Sequence, residues 1–213
     1  MKSNATQIAL VLDRSGSMES VREATIDAFN EFINGQKADP NEVNLLFVQF
    51  DSAGPHDIVF DGLIKDFSGL SLDNYVPRDL TPLHDAIGWT VTELGRRLSG
   101  VSEDQRPEKV VVVILTDGLE NASTDFTNET VAALVKQQTD IYKWAFVFLA
   151  ANQDAVLTAK GLNIKKGSAL SYNSNGLSLR SMSASLNCSV DLWKYSNADA
   201  PTFTDEDREQ AKQ

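Results

Sequence analysis

Four stretches of the chain are almost unbroken runs of apolar residues: Ile8 to Leu12, Val43 to Phe50, Val110 to Leu115, and Trp144 to Ala151. Each is short and rich in β-branched and aromatic side chains, which predicts buried strands. Val110-Val111-Val112-Val113-Ile114-Leu115 is apolar at every position, as a central parallel strand covered on both faces requires. His56 to Lys65 is broken by Asp61-Gly62 and predicts an edge strand or hairpin at the sheet margin. Between these runs the period changes. Val21, Ala24, Ala28 and Phe32 recur at three- and four-residue spacing, and Leu83, Ile87, Val91, Leu94 and Leu98 form the cleanest stripe in the sequence. Val131, Leu134, Val135 and Gln138 continue the theme, as do Leu179, Met182, Leu186 and Val190. Each stripe reads as the core-facing side of a helix. Strand and helix alternate, so the expected architecture is α/β, a mostly parallel sheet with helices on both faces.

The remaining segments carry weaker signals. Asn152 to Ser168 is expected to hold a short helix around Ala155 to Lys160 and a turn at Gly161. Thr204 to Gln213 is charged and lacks an apolar face; it fits either a short helix capped by Thr204 or a solvated tail. The expected division is one domain over residues 1–200 and a charged C-terminal tail over 201–213.

Composition narrows the picture. A chain of 213 residues, 42% apolar and 23% charged, is ordinary for a folded protein that buries a sizeable core. No apolar run approaches the roughly 18 residues needed to cross a membrane. The single cysteine, Cys188, allows no internal disulfide; it lies in a helical pattern and reads as a small buried hydrophobe rather than a nucleophile. The polar stretch Met1 to Gln7 runs straight into a strand and leaves no room for a signal peptide, so a cytoplasmic location is expected. A net charge of −11 argues against nucleic acid and anionic membranes as partners. It also repels a carboxylate-bearing ligand unless a local positive focus exists, and a bound cation supplies one.

The chemistry concentrates at strand ends. The first strand runs out through Asp13-Arg14-Ser15-Gly16-Ser17, where Gly16 permits a turn that aims both hydroxyls and the Asp13 carboxylate at one point. Ligands collect at such carboxyl ends in open parallel sheets. Leu115-Thr116-Asp117-Gly118 repeats the arrangement, with a carboxylate and a glycine after a buried strand. Thr81-Pro82 precedes the cleanest helix, so Thr81 is expected at its N-cap, with its hydroxyl turned to the helix or to a ligand. Two carboxylates and three hydroxyls form an all-oxygen set suited to a hard cation such as Mg²⁺. An ion held by neutral hydroxyls, with carboxylates reached through water, stays electrophilic and favours an incoming anionic oxygen.

In order and spacing, Asp13-x-Ser15-x-Ser17, Thr81 and Asp117-Gly118 resemble the metal-ion-dependent adhesion site of von Willebrand factor A domains, of which integrin I domains are the best-known members. The resemblance runs from about Gln7 to about Tyr195. It implies a Rossmann-like, doubly wound, mostly parallel sheet with one short antiparallel edge strand. It implies Ser15, Ser17 and Thr81 as direct metal ligands, with Asp13 and Asp117 behind them or switching in. It further implies Mg²⁺, with Mn²⁺ or Ca²⁺ as alternatives, and a protein partner whose Asp or Glu completes the coordination. The compact form is similar to bacterial and phage members. Two features depart from the family: Asp79-Leu80 stands where many members have glycine before the threonine, which predicts a stiffer loop, and Arg14 sits inside the DxSxS turn. Arg14 is read as a solvent-exposed loop residue, or else as an attractor for an acidic ligand.

The leading expectation is a metal-dependent protein-interaction module without catalysis of its own. The alternative is a phosphoester hydrolase using the same metal, with His84 or Asp85 as general base. Against it, helical spacing turns only one of the two toward the metal, and the dense carboxylate cage of hydrolytic Mg²⁺ sites is missing. His84 reads instead as a helix-start residue at the loop rim, Glu120 and Asn121 as solvated loop, and His56 has no assigned role. A metal that only rigidifies loops is the third possibility. The sequence contains no G-x-x-x-x-G-K-[ST] and no G-x-G-x-x-G, so neither a Walker B role for Asp117 nor dinucleotide binding is supported.

Overall fold

Strands β1 (Lys2–Asp13), β2 (Val43–Asp51), β3 (Gly54–Leu63), β4 (Pro107–Thr116), β5 (Ala145–Ala151) and β6 (Ala169–Tyr172) form one sheet in the order β3-β2-β1-β4-β5-β6. This computed structural model describes every residue except Asn152 and Gln153, and Pro55 in its backbone only. All neighbouring strands are parallel except β2 and β3, which pair antiparallel as a hairpin. The chain therefore has the expected α/β, Rossmann-like sheet with one antiparallel edge strand.

The helices are α1 (Arg22–Lys37), α2 (Leu83–Ser99), α3 (Asn128–Tyr142), α4 (Ala155–Gly161), α5 (Gly176–Lys194) and α6 (Asp205–Gln210). Side chains alternate across each strand, so β1 sends Ile8, Leu10 and Leu12 to one face and Ala9 and Val11 to the other. The first face packs under Phe29 and Phe32 of α1, Leu179, Met182, Leu186 and Val190 of α5, and Phe203 and Ala211 around α6. The second packs under Leu83, Ile87, Val91 and Leu94 of α2, Val131 and Val135 of α3, and Ala155 and Ala159 of α4. Two separate apolar layers enclose the central strands, which explains why β4 is apolar from Val110 to Leu115. Among the described residues no helix is long and apolar enough to cross a membrane.

Five details stand beside these expectations. The four-residue β6 escaped it, and β1 begins at Lys2, well before the apolar run at Ile8. The segment starting at Asn152 does contain the expected short helix, although Asn152 and Gln153 lie outside the described residues. Thr204 to Gln213 takes its helical alternative: Thr204 and Asp207 form a capping box, and Arg208 donates to the carbonyls of Ala169 and Lys166. Cys188 is exposed rather than buried. It lies two residues past Leu186, about 200° around the helix from that buried position.

The sheet order places the site. β1 has β2 on one side and β4 on the other, so the chain leaves these two strand ends in opposite directions and opens a crevice there. Asp13 ends β1, and Asp117 follows directly on β4.

Candidate metal centre

Asp13 is fully buried, and both of its carboxylate oxygens hold protein donors. Oδ1 accepts the Ser15 amide at 2.7 Å, and Oδ2 accepts the Thr116 hydroxyl at 2.5 Å. The first bond folds the chain back after β1, and the second ties β1 to β4. The hydroxyls of Ser15 and Ser17 then lie 3.2 Å apart, and Ser17 Oγ donates to Asp117 Oδ1 at 2.6 Å. Thr81 joins them from the third loop: a methyl group added at Gly118 would lie 3.1 Å from Thr81 Oγ1 and 3.7 Å from Ser17 Oγ. Asp13, Ser15, Ser17, Thr81 and Asp117 are thus brought together at one end of the sheet. Gly118 leaves the space between two of the hydroxyls clear.

Electrostatics set this cluster apart. Burial lifts the Asp13 carboxyl from 3.8 to about 6 despite the Thr116 and Ser15 bonds, and the neighbouring Asp117 adds to the rise. Burial also raises Asp117 above the ordinary carboxylate range, against the lowering effect of its Ser17 bond. Two neighbouring carboxylates, both raised by burial, are short of positive charge. A divalent cation suits that shortage and the all-oxygen donors alike. Among the described residues no three or more His, Cys, Asp and Glu side chains converge, so a cation here would rest on hydroxyls with two carboxylates behind.

The loops are held by residues that local sequence reading passed over. Asp51, at the end of β2, is fully buried and accepts from Arg14 Nε at 2.7 Å, Arg78 Nε at 2.9 Å and the Ala53 and Gly54 amides. Arg14 also donates to Gln49 and Asp57. It is only 12% exposed, so both readings of it are corrected: it is neither a free loop residue nor an attractor for a ligand but a brace. One carboxylate therefore holds the DxSxS loop through Arg14 and the threonine loop through Arg78. The same loops meet through Gly16 N to Asp79 O and Arg78 N to Arg14 O. Asp79 adopts a left-handed φ of 59°, and that bond from Gly16 helps hold it there. Below, the Tyr75 hydroxyl donates to the last carbonyl of β1 and the Tyr172 hydroxyl to the last carbonyl of β4.

Thr81 is not the N-cap of α2. Pro82 occupies that position, and it offers no side-chain cap. The first-turn amides are instead satisfied from the loop after β4: Glu120 accepts from His84 N and Ser123 Oγ from Asp85 N. Thr81 N donates to Asn121 Oδ1 and Thr81 O accepts from Asn121 N, which fixes the threonine and leaves capping to others. Glu120 is thus a half-buried clamp rather than solvated loop, and Asn121, exposed as expected, also holds Thr81. Asp85 is buried and accepts the amides of Thr124, Asp125 and Phe126, and His84 lies against Glu120 and Asn128.

No protein-family model matches the sequence, and no curated protein matches it either. Solved structures do match. The von Willebrand factor domain of the type V pili tip protein Mfa5 from Porphyromonas gingivalis is 10% identical, with a TM-score of 0.63 over 91% of this chain and 97% of that one. A von Willebrand factor type A protein from Catenulispora acidiphila is 11% identical, with a TM-score of 0.54 over 86% of this chain and 42% of that one. The pilus adhesin SpaC from Lactobacillus rhamnosus GG, in an open conformation, is 14% identical, with a TM-score of 0.60 over 88% and 30%. The chain spans nearly all of the Mfa5 domain but less than half of the other two. At these identities the likeness concerns the fold. The fold is that of a von Willebrand factor A domain.

Proposed function

We propose that this chain is a metal-dependent protein-interaction module, not an enzyme, which holds Mg²⁺ on its five-residue oxygen cluster and grips an Asp or Glu of a partner. The convergence of Ser15, Ser17, Thr81, Asp13 and Asp117 at the β1–β4 crevice carries the reading. In it, the three hydroxyls are the direct ligands. Asp13 spends both oxygens on Ser15 and Thr116, which suits a carboxylate that sets charge from behind. Asp117 orients Ser17. The bound ion supplies a Lewis-acidic position for one anionic oxygen, the local positive focus that a chain of net charge −11 otherwise lacks. Mn²⁺ and Ca²⁺ are the other ions that fit oxygen donors.

The adhesin and pilus-tip context of the structural neighbours is in keeping with an interaction role. His84 and Asp85 are committed to the loop after β4, which weighs against a general base. Two experiments test the proposal. Mg²⁺ titrated by calorimetry should bind wild type, and Ser15→Ala or Thr81→Ala should abolish the heat while the circular dichroism spectrum stays native. Capture from an extract of the source cells should require Mg²⁺, fail in EDTA, and fail with Asp13→Ala. Phosphoester turnover that needs Mg²⁺ and disappears in His84→Ala would overturn it in favour of a hydrolase.

A further inference from the structure

α5 buries one side against the sheet and leaves a largely apolar stripe in water on the other. Leu177, Leu192 and Tyr195 are 61%, 68% and 61% exposed, and Ala184 and Cys188 between them are exposed too. At about 100° per residue, Leu177, Ala184, Cys188 and Tyr195 fall within about 40° of one another, and Leu192 lies about 40° beyond Cys188. The stripe is not on a fraying element. Ser183 Oγ donates to Ala28 O at 2.7 Å and Gln36 Nε2 to Asp191 Oδ1 at 3.1 Å, which bolts α5 to α1, and the Tyr195 hydroxyl donates to Asp39. A rigid face needs little ordering when a partner docks.

Carboxylates dominate the helices on both flanks. On one side, the contacts of Asp27 with Arg180 and of Ala28 with Ser183 set α1 along α5, and α1 turns Glu23, Asp27 and Glu31 to solvent. On the other, Ser189 donates to Thr202 O just before α6, which exposes Asp205, Glu206 and Glu209. Among the described residues of these three helices the one exposed cation is Arg180, itself 3.7 Å from Asp27. A second copy of the chain would bring the same carboxylates against these, and nucleic acid or an anionic membrane would be repelled. An apolar stripe between acidic flanks fits an amphipathic helix whose apolar face is bordered by lysine and arginine.

We propose that α5 and its acidic neighbours form a second docking surface, independent of the metal, whose occupant is a basic amphipathic helix of a protein partner. Apolar side chains of that helix cover Leu177, Leu192 and Tyr195 and pack closely over the small Ala184 and Cys188, while its cations meet Glu23, Glu31 and α6. Alone it is a contact of about 10–100 µM, too short-lived to survive the washes of a capture experiment.

The probe is acetyl-(Ala-Lys-Lys-Leu-Ala-Lys-Leu)3-amide, a lysine-bordered helix about as long as α5, with the peptide bearing Glu for each Lys as its counterpart. In EDTA the lysine peptide should bind the full chain at about 10–100 µM, shift α1 and α5 amides in NMR spectra, and slow the reaction of Cys188 with a thiol reagent. The glutamate peptide should do none of these. Leu177→Gln with Leu192→Gln should weaken the lysine peptide about tenfold or more, with Tm unchanged. Glu23→Gln with Glu31→Gln should weaken it less and reduce its salt dependence. Equal binding of the two peptides, no binding by either, an unprotected Cys188, or binding indifferent to the leucine pair overturns the proposal. Light scattering that finds a dimer of the free chain, lost in Leu177→Gln with Leu192→Gln, overturns it in favour of a second copy.

Discussion

Replacing Asp13 by Asn should make the metal-free protein more stable, although it deletes a residue at the centre of the site. Asp13 is fully buried, and burial lifts its carboxyl from 3.8 to about 6. Between about pH 3.8 and 6 the folded protein keeps a proton that the unfolded chain has released, so stability falls as pH rises through that window. Above it the loss is complete: about 2 pH units at about 1.4 kcal/mol each gives about 3 kcal/mol. Asn carries no charge to desolvate. Its oxygen can still accept the Ser15 amide, and the Thr116 hydroxyl already lies 3.1 Å from Gly118 O as a second acceptor. After about 1 kcal/mol for a weaker Thr116 bond, the expected gain at pH 7 in EDTA is about 2 kcal/mol. For a chain of this size that is a rise in Tm of about 4–8 °C. Urea unfolding of both proteins in EDTA from about pH 4 to pH 7.5 measures it; titrations common to the two cancel in the difference. The gap should open between about pH 4 and 6 and stay level above. Mg²⁺ should then raise the Tm of wild type and not of the variant. A variant less stable than wild type at pH 7, or a gap that ignores pH, would refute the reasoning.

Three further expectations follow from the same geometry. Gly118→Ala puts a methyl 3.1 Å from Thr81 Oγ1, so Mg²⁺ affinity by calorimetry should fall about 10–100-fold with metal-free Tm nearly unchanged. Asp51→Ala leaves Arg14 and Arg78 without their shared carboxylate and should cost about 3–5 kcal/mol in urea unfolding, with weaker Mg²⁺ binding although Asp51 is no ligand. Cys188 should react with a thiol reagent in the native protein at the rate of an accessible thiol, whether or not Mg²⁺ is added.

The layers of this fold are written in periodicity that a single sequence displays. Val110 to Leu115 announces a strand buried on both faces, and the stripe from Leu83 to Leu98 announces α2. The four-residue β6 has too few positions to show a period, and the start of β1 is polar because it runs beyond the apolar layers. Asp13, Ser15, Ser17 and Asp117 are readable because strand ends and glycines mark them, and Thr81 because it stands with Pro82 before the cleanest helical stripe. Their supports were not. Asp51 reaches Arg14 across 37 residues and Arg78 across 27, and Glu120 caps α2 from 36 residues away. Local sequence therefore assigned the cap to Thr81 and left Arg14 in solvent, whereas partners distant in sequence supply the cap and bury the arginine.

Unpaired strand backbone templates intermolecular pairing, and the two rims of this sheet are each covered against it in a different way. At one rim β3 is irregular, with register shifts opposite Phe47/Val48 and Gln49/Asp51, and it bears Asp57 and Asp61, each paired to an arginine. At the other rim the C-terminal segment lies along β6. Arg208 takes the Ala169 carbonyl, Phe203 N takes Gly167 O, and Asn173 N reaches Ala211 O. Removing residues 202–213 would bare that rim and the apolar surface under Phe203 together. A shortened chain should then form strand-paired aggregates that bind amyloid dyes; a chain that stays monomeric without residues 202–213 would show that this segment does not guard the edge.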